Sequence, residues 1–374
     1  MDRRSCLSGL ALWPSLTALL LSGLSGLGAC TSPIAADDDA GPARPDGGVE
    51  TEDAGPSGDD GGTPGEDAGV SGDDAGPGGE DAGPNGDDAG PGTLGPYAAD
   101  GPAQVQELTR AAEVSSGSFE LEVYLPSTAG PRPVVVLAPG LLQHAAAYAP
   151  YGRRLASHGV LVLVRDDPGI FTNTPEVTDG IVETVTEWLP AEDADSGSPL
   201  YGRVDLSRVG LAGHSRGGKA SLLAAEGGLH DVALGWFGLD PVDSATLADG
   251  ALARDELPGI GMPTAFLGAE VSSSCSPAAD TYEVLFAVAP APSLRIEGVG
   301  AGHTQLQSQD DCVGCAACTP GGDADDDVVL SYAVRYLTAF FARELLDDTA
   351  VGATLQGAGS GLDVAAGRVR LESR

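Results

Sequence analysis

Positive charge is scarce in this chain: 19 Lys and Arg stand against 55 Asp and Glu over 374 residues, a formal net charge of −36 at pH 7. A surface field of that sign repels phosphate, which excludes nucleic acid as a partner and disfavours anionic lipid headgroups. Aromatic side chains are also few, and none occurs between residues 34 and 95. Across residues 31–100 the only basic side chain is Arg44, against 18 acidic ones. A stretch so poor in apolar bulk and so rich in Gly, Pro and like charge cannot bury enough surface to offset its chain entropy. It reads as a disordered tether. The run from Leu7 to Gly28 lacks charge altogether. Its length would span a membrane, but Pro14 and four glycines argue against a permanent helix.

What is present at the N-terminus is an address. Arg3 and Arg4 precede that uncharged run, and Leu27-Gly28-Ala29-Cys30 closes it. The closing tetrapeptide resembles the bacterial lipobox, which implies cleavage before Cys30 and lipidation of its thiol. Residues 1–29 are thus expected to be a lipoprotein signal peptide, exported by the Sec or twin-arginine route. Thr31 after the cysteine leans toward the outer membrane of a bacterial envelope. Residues 30–102 form the tether, which repeats Asp/Glu-Asp-Ala-Gly-Pro, as at Glu52–Pro56 and Asp73–Pro77. Calcium loops alternate their carboxylates with spacers, whereas these come in adjacent pairs, so a solvated linker is favoured over a metal site. A flexible chain of about 70 residues spans roughly 45–50 Å.

From residue 103 the pattern changes. Phe119–Leu125 alternates apolar and polar residues, the mark of a half-buried strand. Val134–Leu137, Val160–Val164, Val209–Ala212, Val232–Leu239, Thr264–Leu267 and Leu294–Ile296 read as further strands. Helical segments are expected at Tyr148–His158, Ile181–Leu189, Gly217–Glu226 and Val328–Leu345. Strands alternating with helices predict an α/β fold with a mostly parallel sheet covered on both faces. One such domain over residues 103–350 accounts for the length, leaving 351–374 as a Gly/Ala-rich tail with no assigned role.

Gly213-His214-Ser215-Arg216-Gly217 fits the G-x-S-x-G nucleophile elbow. Serine is a weak nucleophile, so it must be presented on a tight turn near a base and an oxyanion hole. A side chain in place of either flanking glycine would strike the neighbouring strand or helix. Gly-rich chains produce the bare pattern by chance, but here a buried strand precedes it and a helix follows, as the motif requires.

Gly213–Lys219, together with Leu239-Asp240-Pro241-Val242 and Gly302-His303, resembles plant chlorophyllases of the α/β-hydrolase superfamily. Pro139-Gly140-Leu141 and Leu155–Gly159 are just as similar to bacterial cutinase-like polyester hydrolases. The resemblance spans about residues 115–345 and implies the α/β-hydrolase fold and carboxylic ester cleavage through an acyl-enzyme. Ser215 is the expected nucleophile. His303 is the expected base, being late in the chain and at a strand end; His144, His158, His214 and His230 have blander readings as surface, variable or loop residues. The acid is open. Polyester hydrolases carry it after the strand matching Thr264–Leu267, where Ser272 falls at the aspartate position. The chlorophyllase pattern indicates Asp240, which is favoured over Glu270 and Asp243. Backbone N–H groups of Leu141 and Arg216 would form the oxyanion hole.

Six cysteines remain to be placed. Cys6 leaves with the leader and Cys30 is lipidated; in an exported protein Cys275, Cys312, Cys315 and Cys318 are expected to form two disulfides, with three pairings open, rather than bind a metal. A bridge between the loops carrying Cys275 and Cys312 would brace the site. The expectation is a monomeric, lipid-anchored serine esterase without cofactor, acting on a small or polymeric ester and touching the membrane only through its lipid. The alternative is a non-catalytic binding or scaffold lipoprotein on the same fold.

Overall fold

The computed structural model describes residues 94–166, 172–245 and 250–374; the expected leader, Cys30 and the acidic repeats lie outside them. Nine strands form one sheet among the described residues. They are β1 (Val105–Val114), β2 (Gly117–Pro126), β3 (Arg132–Ala138), β4 (Leu161–Asp166), β5 (Val204–His214), β6 (Ala233–Leu239), β7 (Thr264–Val271), β8 (Ser293–Gly302) and β9 (Val369–Ser373). The order across the sheet is β1-β2-β4-β3-β5-β6-β7-β8-β9. The six central strands from β4 to β8 are parallel; β2 and β9 run against them, and β1 pairs antiparallel with β2 at the edge.

Consecutive side chains of a strand face opposite ways, so a β-branched run such as β3 feeds both faces of the sheet. Val135 and Leu137 pack on one side with α1 (Ala149–Ser157) and α7 (Asp326–Leu346). Val134 and Val136 pack on the other with α2 (Thr174–Glu183), α4 (Arg216–Gly227) and α6 (Tyr282–Val288). A wider helical turn at Thr184–Trp188 joins α2 to α3 (Leu189–Ala194), and α5 (Ala253–Glu256) is one turn long.

Two boundaries differ from the expectation. The body starts before residue 103, since Tyr97 is buried, packs at a tilt against His158 with ring centroids 5.0 Å apart and donates its hydroxyl to Asp348. It also runs past residue 350. After α8 (Gly352–Leu355) and α9 (Ala358–Ala365), β9 pairs along β8, with Leu371 opposite Ile296 and Val369 opposite Gly298. Asp363 is buried and accepts from Tyr336 at 2.9 Å and from the guanidinium of Arg335 on α7. Gly and Ala carry little apolar area, so the hydrophobic pattern of this segment is weak, although the sheet edge and a buried ion pair hold it. Strand β1, which is mostly exposed, also escaped the sequence pattern.

Candidate active site

Strand register brings the chemistry to one edge of the sheet. Ala138 is level with Gly213, His214 with Leu239, and Leu239 with Leu267. The segments that follow β3, β5, β6 and β8 therefore leave from neighbouring carboxyl ends, which in open α/β sheets is where binding crevices form.

Ser215 stands between β5 and α4 with φ 55° and ψ −123°, outside the regions open to most L-residues. Such a conformation costs on the order of 1–3 kcal/mol and persists only where the surroundings enforce it. They do so here through both flanking glycines: a Cβ on Gly213 would lie 2.3 Å from the backbone of Gly217, and one on Gly217 would lie 2.2 Å from the carbonyl oxygen of Ala138. The Ser215 N–H donates to Leu239 at 3.0 Å and its carbonyl accepts from Val242 at 3.2 Å, tying the elbow to the end of β6.

Asp240 follows β6, is fully buried and also has a positive φ of 38°. Its Oδ2 lies 2.6 Å from Nδ1 of His303, and its Oδ1 accepts the Ala269 N–H at 3.1 Å. His303 opens the turn after β8 and is 5% exposed. Facing a carboxylate, Nδ1 carries the proton, which leaves Nε2 as the basic nitrogen.

The other two acid candidates sit elsewhere. Glu270 accepts the Gly300 N–H and pairs with Arg370, both at 2.7 Å, and these contacts hold its carboxyl below the usual range. Asp243 is buried with its oxygens taken by the Ala253 N–H at 2.7 Å and the Arg254 guanidinium at 2.6 Å.

Leu141 lies at the tip of a turn closed by the Gln143 N–H on the Gly140 carbonyl at 3.1 Å, and its side chain is exposed. Arg216 is the first residue of α4, where backbone N–H groups point out of the helix terminus. Its side chain turns away to the Thr172 carbonyl. Cys275 pairs with Cys318 and Cys312 with Cys315. The first bridge joins the loop after β7 to the segment beyond His303, where Ser274 also donates its N–H to Thr319 at 2.8 Å.

Sequence reasoning missed the polar residues packed behind this edge. His214 is buried, with its ring 4.6 Å from that of His303, and Tyr148, Gln143 and Gln307 are buried beside it. Burial first, and then the neighbouring His303, hold the His214 imidazole well on the neutral side; burial pushes the Tyr148 phenol upward. A histidine in the second position of the elbow was the one available signal.

The sheet topology, the strained serine turn and the late histidine define an α/β-hydrolase fold. Within it, residues 82–234 match the PETase family model, described as PET hydrolase-like. The matched stretch holds Ser215 but ends before Asp240 and His303. Bis(hydroxyethyl) terephthalate hydrolase of Streptomyces coelicolor is 33% identical over 132 residues, 34% of this chain and 40% of that protein. Cutinase 1 of Thermobifida cellulosilytica is 30% identical over 128 residues, 34% of this chain and 47% of that protein. The chain spans less than half the length of the curated relatives it matches.

Proposed function

We propose that the protein is a serine hydrolase that cleaves carboxylic esters. The observation that carries this reading is the buried 2.6 Å contact between Asp240 and His303 at the same sheet edge as the strained Ser215 turn. In this mechanism His303 takes the Ser215 proton through Nε2 as the hydroxyl attacks the ester carbonyl, and Asp240 stabilises the imidazolium that forms. The N–H groups of Leu141 and Arg216 receive the developing oxyanion, a donor pair of which each member is worth about 10²–10³ in turnover. The alcohol leaves with the proton from His303, and water then hydrolyses the acyl-enzyme.

The cutinase and terephthalate-ester hydrolase relatives support a polymeric or small neutral ester as substrate. That substrate suits a chain whose net charge is −36. The leader pattern supports lipidation at Cys30, with the acidic repeat holding a monomeric enzyme off the outer membrane; among the described residues no helix is long and apolar enough to cross a membrane. Fluorophosphonate labelling tests the central claim: Ser215 is modified in the wild type, Ser215→Ala abolishes labelling and p-nitrophenyl butyrate hydrolysis together, and an unlabelled, inert folded wild type refutes it.

A further inference from the structure

His214, second residue of the elbow, is buried in contacts that fix its proton. Its Nε2 lies 3.1 Å from the backbone carbonyl oxygen of His303. A carbonyl only accepts, so Nε2 is the protonated nitrogen. Its Nδ1 lies 2.7 Å from the hydroxyl of Tyr148. That hydroxyl accepts the Gly140 N–H at 3.0 Å and also lies 2.7 Å from Oε1 of Gln307. Tyr148 has one proton for two neighbours. With Nε2 donating to the carbonyl, Nδ1 accepts, so that one proton is shared between His214 Nδ1 and Oε1 of Gln307, to which the Tyr148 hydroxyl also donates.

The resulting chain runs from the Gly140 N–H to Tyr148, from the Tyr148 hydroxyl to His214, and from His214 Nε2–H to the His303 carbonyl. It crosses the turn after β3, the elbow after β5 and the turn after β8. We propose that His214 and Tyr148 are positioning residues, which set the His303 backbone and the Gly140–Leu141 turn against Ser215. This inference rests on the ester-hydrolase reading above. Both residues act through hydrogen bonds to backbone groups, and the His214 ring also packs against that of His303, with centroids 4.6 Å apart. Asp240 orients the His303 ring, but the ring hangs from a backbone that the carbonyl bond to His214 holds in place. On the other side, tying the Gly140 N–H to Tyr148 sets the direction in which the following Leu141 N–H points.

Displacing a reacting group by about 1 Å costs on the order of 10²-fold in rate, while substrate binding is little affected. The test is steady-state kinetics of full-length wild type, Tyr148→Phe, His214→Leu and His214→Gln on p-nitrophenyl butyrate, with folding checked by circular dichroism. His214→Leu is expected to lower kcat about 10–100-fold with KM within about threefold of wild type. His214→Gln, whose amide can still donate to the His303 carbonyl, recovers most of that loss. Tyr148→Phe, the milder change, falls in the same direction and decides the matter if the leucine variant does not fold. An active wild type whose variants keep kcat, lose only KM, or show no rescue by glutamine overturns the positioning role alone. An inert wild type overturns the hydrolase reading and this role with it.

Discussion

Asp240→Asn separates the chemistry of this site from its stability. The substitution keeps the side-chain volume and, through its oxygen, the 3.1 Å bond from the Ala269 N–H. It places an NH₂ group where Oδ2 now accepts from His303 at 2.6 Å. Two donors cannot face one another at that distance. The ring relieves the clash by moving its proton to Nε2, which leaves no basic nitrogen for Ser215. A carboxylate-to-amide change of this kind in a serine protease triad lowers kcat about 10⁴-fold, equivalent to about 5.5 kcal/mol in the barrier. Folding should change far less, by about 1–2 kcal/mol, because a single charge-assisted bond becomes a neutral one. The assay is kcat on p-nitrophenyl butyrate beside a denaturant unfolding curve for the same preparation. Glu270→Gln, whose carboxylate faces Arg370, is expected to stay within about threefold of wild type, since its partners lie off the proposed path of proton transfer. Asp243→Asn removes an anchor for Arg254 and should lower stability by about 1–3 kcal/mol. An Asp240→Asn protein within tenfold of wild-type kcat, or a Glu270→Gln protein equally impaired, would refute the proposed assignment.

Two further outcomes concern stability. His214 and His158 both have folded pKa values below the free-histidine value, so the unfolded chain binds their protons first. The stability they contribute is complete above about pH 6.5 and falls as pH drops below it, by up to about 1.4 kcal/mol per pH unit for each group. Glu122, whose carboxyl burial raises, works in the opposite sense, so the comparison with His214→Gln isolates the His214 share; parallel pH profiles of the two unfolding free energies would sink it. The bridge between Cys275 and Cys318 closes a separation of 43 residues, for which loop entropy gives about 4 kcal/mol. Replacing both with Ser should cost about 2–4 kcal/mol in urea unfolding, and an unchanged midpoint with unchanged slope would contradict this.

Some of this architecture follows from local pattern. Val134–Leu137 and Val160–Val164 are continuous apolar runs too short for helices, and only a strand buried on both faces suits them. Gly213–Gly217 between a strand and a helix announces a tight serine turn, because the collision that demands glycine at Gly213 is local to it, although the one at Gly217 is with Ala138 at the end of β3. The two edge additions were not legible. Strand β1 is mostly solvent-facing, and β9 follows a Gly/Ala-rich stretch, so neither carries the apolar periodicity that reveals a strand.

The acidic, aromatic-free repeat, the strand–helix alternation and the elbow motif are readable from the chain alone, since each is written in composition or in residues a few positions apart. Which carboxylate meets His303 depends on contacts made across the sheet. Asp240, Asp243 and Glu270 all lie near the ends of adjacent strands, and strand register with the partner each one meets distinguishes them: Arg254 takes Asp243, Arg370 takes Glu270, and Asp240 faces the imidazole. The same holds for His214, Tyr148 and the carbonyl of His303. Their bonds span up to 89 positions in sequence, a distance at which no local periodicity can speak, and they form because parallel strands end side by side.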